Sequence, residues 1–134
     1  RERGNRMSYL WAQLRLGHVL LRSGDLTEAH QLLTQTAQNF GKDGYKIGAV
    51  FAMEGMAELF VAVGKTEYAA RLIGWTDLTR EKIQDTRPHY EQANVDKIIA
   101  ACIKKLGEAA FADAYDKGQK MSLEEAVAYA LQED

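Results

Sequence analysis

Apolar side chains recur along nearly the whole chain at the three- and four-residue spacing of helices, and no stretch alternates like a strand. From Met7 to Arg22, Leu10, Trp11, Leu14, Val19, Leu20 and Leu21 spread widely around the helix, which predicts burial on more than one side. Ser23-Gly24-Asp25 stops this helix, with Gly24 suited to a left-handed C′ position. Asp25 and Glu28 have capping-box spacing for a second helix over Leu26 to Phe40, with Leu26, Ala29, Leu33 and Ala37 on one face. After a turn at Gly41–Gly44, a third helix is expected over Tyr45 to Val63 and a fourth over Thr66 to Ile83. Pro88 fits the first turn of a fifth helix, where its missing N–H costs little, and that helix ends at Leu106-Gly107. A sixth covers Glu108 to Lys117, stopped by Gly118, and a seventh opens on the capping box Ser122-Leu123-Glu124-Glu125 and runs to Leu131. The fold class is all-α with about seven helices.

The pattern also repeats. Residues 20–33 align on residues 60–73 at an offset of forty, placing Gly24 on Gly64, Ala29 on Ala69, Leu32 on Leu72 and Leu33 on Ile73. Upstream, Trp11 falls on Phe51, Leu16 on Met56 and Gly17 on Ala57. Small residues at Gly17/Ala57 and Ala29/Ala69 let two helices approach, and Leu20/Phe60 and Leu33/Ile73 fill the space beside them. In this register Ala69 lies at the close contact, while Ala70 aligns with polar His30 and is expected to face outward. The small–large alternation around a turn glycine resembles the tetratricopeptide repeat, in an extended form: the standard unit is about 34 residues. The resemblance implies two helix–turn–helix repeats over 5–83, stacked in a right-handed α-superhelix. A single domain, 1–134, then needs residues 84–134 as capping helices, because such repeats cannot bury their apolar faces alone.

Length and charge agree with one ordinary globular unit. The 134 residues are 46% hydrophobic and 27% charged, enough for one core without a metal or disulfide staple. A net charge of -2 argues against a nucleic-acid surface. Residues 1–24 nevertheless carry five arginines against Glu2, so the remainder is acidic; the basic end reads as a solvated linker or helix end, not a nucleic-acid contact. The single cysteine excludes an internal disulfide and fits a reducing, cytoplasmic setting. No apolar run has the roughly 18 residues of a membrane span. The chain begins at Arg1 with no signal-peptide pattern, which reads as a piece of a longer protein.

A second resemblance covers about residues 50–132. Arg71-Leu72-Ile73-Gly74-Trp75 with Leu78 and Arg80, then Tyr90-Glu91, Leu106-Gly107-Glu108-Ala109-Ala110-Phe111, Tyr115, Gly118 and the ending Met121–Ala128 together resemble the C-terminal region of large bacterial LuxR-type transcriptional regulators and related signalling ATPases. In that family tetratricopeptide-like helices follow a nucleotide-binding switch domain. The resemblance implies a regulatory, signal-transducing context.

Gly64-Lys65-Thr66 ends like a phosphate-binding loop, but the required glycine five residues earlier is Leu59, and the tripeptide joins two helices, not a strand and a helix. His18, His30 and His89 form no paired metal-ligand spacing, so no metal or cofactor is expected. Cys102 shares an apolar face with Val95, Ile99 and Leu106 and reads as a buried, inert thiol. Acidic pairs such as Glu54/Glu58 are expected on a solvated helix face, where they repel unless a cation neutralises them. No catalytic constellation emerges.

The remaining candidate is a groove. In tetratricopeptide domains the first helix of each pair lines the concave face. Carried over by position, that face here is Trp11, Leu14, His18 and Arg22 with Phe51, Glu54, Glu58 and Val61. Trp11 and Phe51 read more readily as core, since large aromatics are common anchors. The mixture suits a protein or peptide segment, including another domain of the parent chain, or a small-molecule inducer. The sequence thus reads as a non-enzymatic interaction or ligand-sensing module of a bacterial regulator. The alternatives are a structural oligomerisation module forming a homodimer and, behind it, a nucleotide-binding or enzymatic domain.

Overall fold

The computed structural model describes residues 2–132, with side chains from residue 4 onward. Arg1, the Arg3 side chain, Glu133 and Asp134 lie outside the described residues, and with them part of the basic N-terminus and the polar C-terminal finish. All regular structure among the described residues is helical: α1 (Glu2–Ser23), α2 (Leu26–Lys42), α3 (Lys46–Ala62), α4 (Thr66–Lys82), α5 (His89–Leu106), α6 (Glu108–Gln119) and α7 (Leu123–Leu131). The chain is all-α, as the periodicity predicts.

One backbone device recurs every twenty residues. Gly24, Gly44, Gly64 and Gln84 have φ of +87°, +74°, +83° and +57°. At each, the left-handed residue donates three residues back and its successor five back, as in Gly24 to Leu21 and Asp25 to Leu20, or Gln84 to Glu81 and Asp85 to Arg80. These are Schellman ends, which satisfy otherwise orphaned carbonyls and fold each helix back on the last. They also explain why the capping box expected at Asp25 and Glu28 does not form. Asp25 makes no side-chain cap bond. Its own N–H, which the capping box would give to Glu28, is already bonded to the Leu20 carbonyl. At Ser122 that competition is missing and the box forms: Ser122 N–H donates to Glu125 Oε1 at 2.8 Å, and Glu125 N–H to Ser122 Oγ at 3.1 Å.

Consecutive helices pack side by side from α1 to α4, and α5, α6 and α7 all close on α4. Leu10, Leu33, Phe40, Met53, Met56, Leu72 and Ile73 form one continuous core with Val95 and Val127. Small residues set the closest approaches. Gly17 lies against Leu33, where an added Cβ would come within 2.5 Å of Cδ2. The α4–α6 crossing is tighter still: a Cβ on Gly74 would strike the Tyr115 carbonyl oxygen, and one on Gly118 the Arg71 carbonyl oxygen. Gly118 is therefore not the stop expected for the sixth helix. It sits inside α6 as a close-contact residue, and the helix runs on to Gln119.

Two further expectations change. Ala70 is as fully buried as Ala69, because helices beyond the repeat cover the face that alignment with His30 marked as outward. The first helix is buried on one side only: Leu10, Leu14 and Leu21 face the core, whereas Leu16 and Val19 are 51% and 58% exposed. The last helix returns to the start of the molecule. Leu123 meets Gly41, His30 Nε2 lies 2.8 Å from the Ala130 carbonyl, and Tyr129 stacks on Tyr68 at 4.4 Å with the Arg71 guanidinium 4.3 Å over its ring. Val127 is buried by this docking, but Leu131 stays largely exposed.

A groove between α1, α3 and α5

Because α1 and α3 are the first helices of the two hairpins, forty residues apart, they present equivalent positions side by side. Between them and α5 lies a cavity of about 700 Å³. Trp11, Leu14, His18, Arg22, Phe51, Glu54 and Glu58 all line it; Val61 does not. The wall supplied by α5, with Tyr90, Asn94 and Lys97, has no counterpart in the sequence-derived set, since α5 lies outside the repeat register. Trp11 and Phe51 are half-buried, their rings 5.6 Å apart, so each packs on the core and shows a face to the groove. Trp11 also meets Phe40 and Tyr45.

The floor of the groove is ionic. Glu54 is 8% exposed and not on a solvated face. Its carboxylate accepts two hydrogen bonds from Arg80 at 2.9 Å, and two from Arg87 at 2.9 and 2.6 Å. Arg80, 3% exposed, also reaches Asp85 and Glu91, and its guanidinium lies 5.1 Å from the Phe51 ring centre. Arg87 pairs with Asp77 at 2.6 Å, and Tyr115 donates to Asp77. Two arginines thus serve four carboxylates from α3, α4, the 83–88 segment and α5. Such a cluster offsets its desolvation only when every member is bonded, and it ties α5 to the repeat. Burial lowers the Arg87 pKa, but the adjoining Glu54 and Asp77 carboxylates outweigh it and raise the net value.

Nearer solvent the groups are less committed. Arg22 Nε lies 3.5 Å from Glu58 Oε2, and Asn94 donates to Glu58 Oε1 at 3.1 Å. The His18 ring lies against Gly55, where a Cβ would come within 2.8 Å of Cε1, so the glycine makes room for the imidazole. Burial, then the neighbouring Arg22 charge, lower the His18 pKa below 6.5; a hydrogen bond with the Phe51 backbone and the Glu58 and Glu54 charges oppose this only in part. His18 is therefore held as a neutral imidazole in the groove wall.

The other candidates fall elsewhere. Cys102 is fully buried and donates weakly to the Thr66 carbonyl at 3.4 Å; burial raises its pKa to about 11, so it stays a thiol. Gly64-Lys65-Thr66 is the turn between α3 and α4. Among the described residues no three His, Cys, Asp or Glu side chains converge on a metal position. Among the same residues, no helix is long and apolar enough to cross a membrane. Comparison with protein-family models, curated proteins and solved structures found no match to the chain.

Proposed function

We propose that the protein is a non-enzymatic interaction or ligand-sensing module built on tetratricopeptide-like hairpins, holding a peptide or protein segment, or a small inducer, in the groove between α1, α3 and α5. The observation that carries this reading is the convergence of equivalent positions of two hairpins on one cavity, with aromatic faces, a neutral imidazole and a charged rim. A binding role is favoured over catalysis because the ionic groups beneath the groove are bonded to one another and the single thiol is buried and protonated. The twenty-residue recurrence of one turn supports the hairpin-repeat reading. A regulatory context, as in the LuxR-type proteins the sequence resembles, and a reducing cytoplasmic setting belong to the same proposal.

The test is selection of a random displayed peptide library on the purified protein, followed by affinity measurements on the selected peptide. Arg22→Glu and Glu58→Lys should each weaken binding about tenfold or more, which is about 1.4 kcal/mol. Melting temperatures should hardly move, because an exposed pair of this kind contributes little stability. Combining Arg22→Glu with Glu58→Arg restores a pair of opposite charges yet should not restore binding. Undiminished binding by all three variants would remove the groove assignment.

A further inference from the structure

Hydrogen-bonding capacity around the groove is spent unevenly. The carboxylates that line the cavity are Glu54, Glu58 and Glu91. Each is already engaged: Glu54 accepts from Arg80 and Arg87, Glu91 from Arg80, and Glu58 from Asn94 with Arg22 3.5 Å away. The cations of the lining are Arg15, Arg22 and Lys97. Arg22 is held beside Glu58, but among the described residues Arg15 on α1 and Lys97 on α5 have no hydrogen-bond or ion-pair partner. A guanidinium and an ammonium donate and never accept. The open capacity of the wall is therefore of donor kind, while its charged acceptors are occupied.

The same cavity presents aromatic faces. The Trp11 and Phe51 rings lie 5.6 Å apart with 59° between their planes, and Leu14 and Val95 share the lining. Its volume of about 700 Å³ is that of a small-molecule site, which typically holds roughly 300–1,000 Å³. We propose that the groove binds a small aromatic carboxylate, its ring on Trp11 and Phe51 and its carboxylate taken by Arg15 and Lys97. This rests on the groove being a binding site and names the class of its ligand. A carboxylate brings only acceptors, and its bonds to cationic donors are of the strong, charge-assisted kind. An amide of the same shape would set N–H groups against those donors. A cationic ligand would meet Arg15 and Lys97 with the carboxylates of the lining already engaged.

The probes are indole-3-acetate, indole-3-acetamide, which keeps the ring and loses the charge, and acetate, which keeps the charge and loses the ring. Titrated into isotope-labelled full chain at neutral pH and low salt, indole-3-acetate should shift the ring resonances of Trp11 and Phe51 and the amides of residues 11–22, 51–58 and 90–97. It should bind about tenfold tighter than either other probe, and its lead over the amide should shrink as salt rises. Arg15→Gln and Lys97→Gln, both at exposed positions, should each cut that lead to about threefold or less with the melting temperature kept, and Arg15→Lys should retain most of it. Equal binding of acid and amide at these residues would overturn the ligand class while leaving the groove as a binding site. A lead that survives both glutamine variants, shifts confined to other helices, or no shift from any probe would also overturn it. The groove reading itself is decided separately, by the peptide selection.

Discussion

Glu54 and Arg80, on neighbouring helices, meet in a two-pronged ion pair with both contacts at 2.9 Å, buried beneath the groove. Without the Glu54 charge, Arg80 keeps Asp85 and Glu91 and Arg87 keeps Asp77, so the loss is that of buried charged hydrogen bonds, about 1.5–3 kcal/mol, and not that of a wholly unpaired charge. Glu54→Gln should cost that much in urea unfolding, whereas Glu58→Gln, four residues on and nearer solvent, should cost less than about 1 kcal/mol. Equal losses would mean that the cluster contributes no more than an exposed ion pair.

Gln84 occupies the left-handed position that glycine fills at the three equivalent turns. A non-glycine residue there is strained by about 1–2 kcal/mol, partly offset by the larger unfolded-state entropy of glycine. Gln84→Gly should therefore raise stability by about 0.5–1 kcal/mol, while Gly64→Gln should lower it. Chemical denaturation midpoints of the two variants give the answer.

Ala69→Leu and Ala70→Leu should both destabilise by about 1–3 kcal/mol, since both side chains are fully buried and overpacking displaces neighbours. A thermal shift in only one of them would contradict the packing of the capping helices on α4.

His18 makes stability depend on pH in a defined direction. Its folded pKa lies below the unfolded value of 6.5, so below about pH 6.5 the unfolded chain takes up the proton first. Its effect on stability is therefore level above that pH, falls as the pH drops towards the folded pKa, and is level again below it. The difference in melting temperature between the parent protein and His18→Gln should change between pH 7 and pH 5, with the parent losing more. Parallel curves would show that the imidazole is not desolvated.

What the sequence revealed follows from how local each signal is. Helix order, the turn glycines and the Ser122 box depend on a few adjacent residues, and they appear where periodicity and capping chemistry put them. The face containing Trp11, His18, Arg22, Phe51 and Glu58 was legible because a forty-residue repeat carries its own register. The burial of Ala70 and Glu54 was not, because both depend on helices and arginines brought in from outside that register. Gly118 shows the same limit: a glycine near a helix end reads as a stop, and only the crossing of α6 on α4 shows that its missing side chain is what matters. The exposed side of α1 was hidden for a related reason, since apolar spacing marks a face for burial without saying what covers it.

Hydrogen exchange with and without the library-selected peptide tests the central claim most directly, because it locates the bound segment without assuming its chemistry. The groove reading requires added protection in residues 11–22 of α1, 51–58 of α3 and 90–97 of α5, lost in Arg22→Glu. Protection confined to α2 and α7, on the far side of the hairpins, would contradict it.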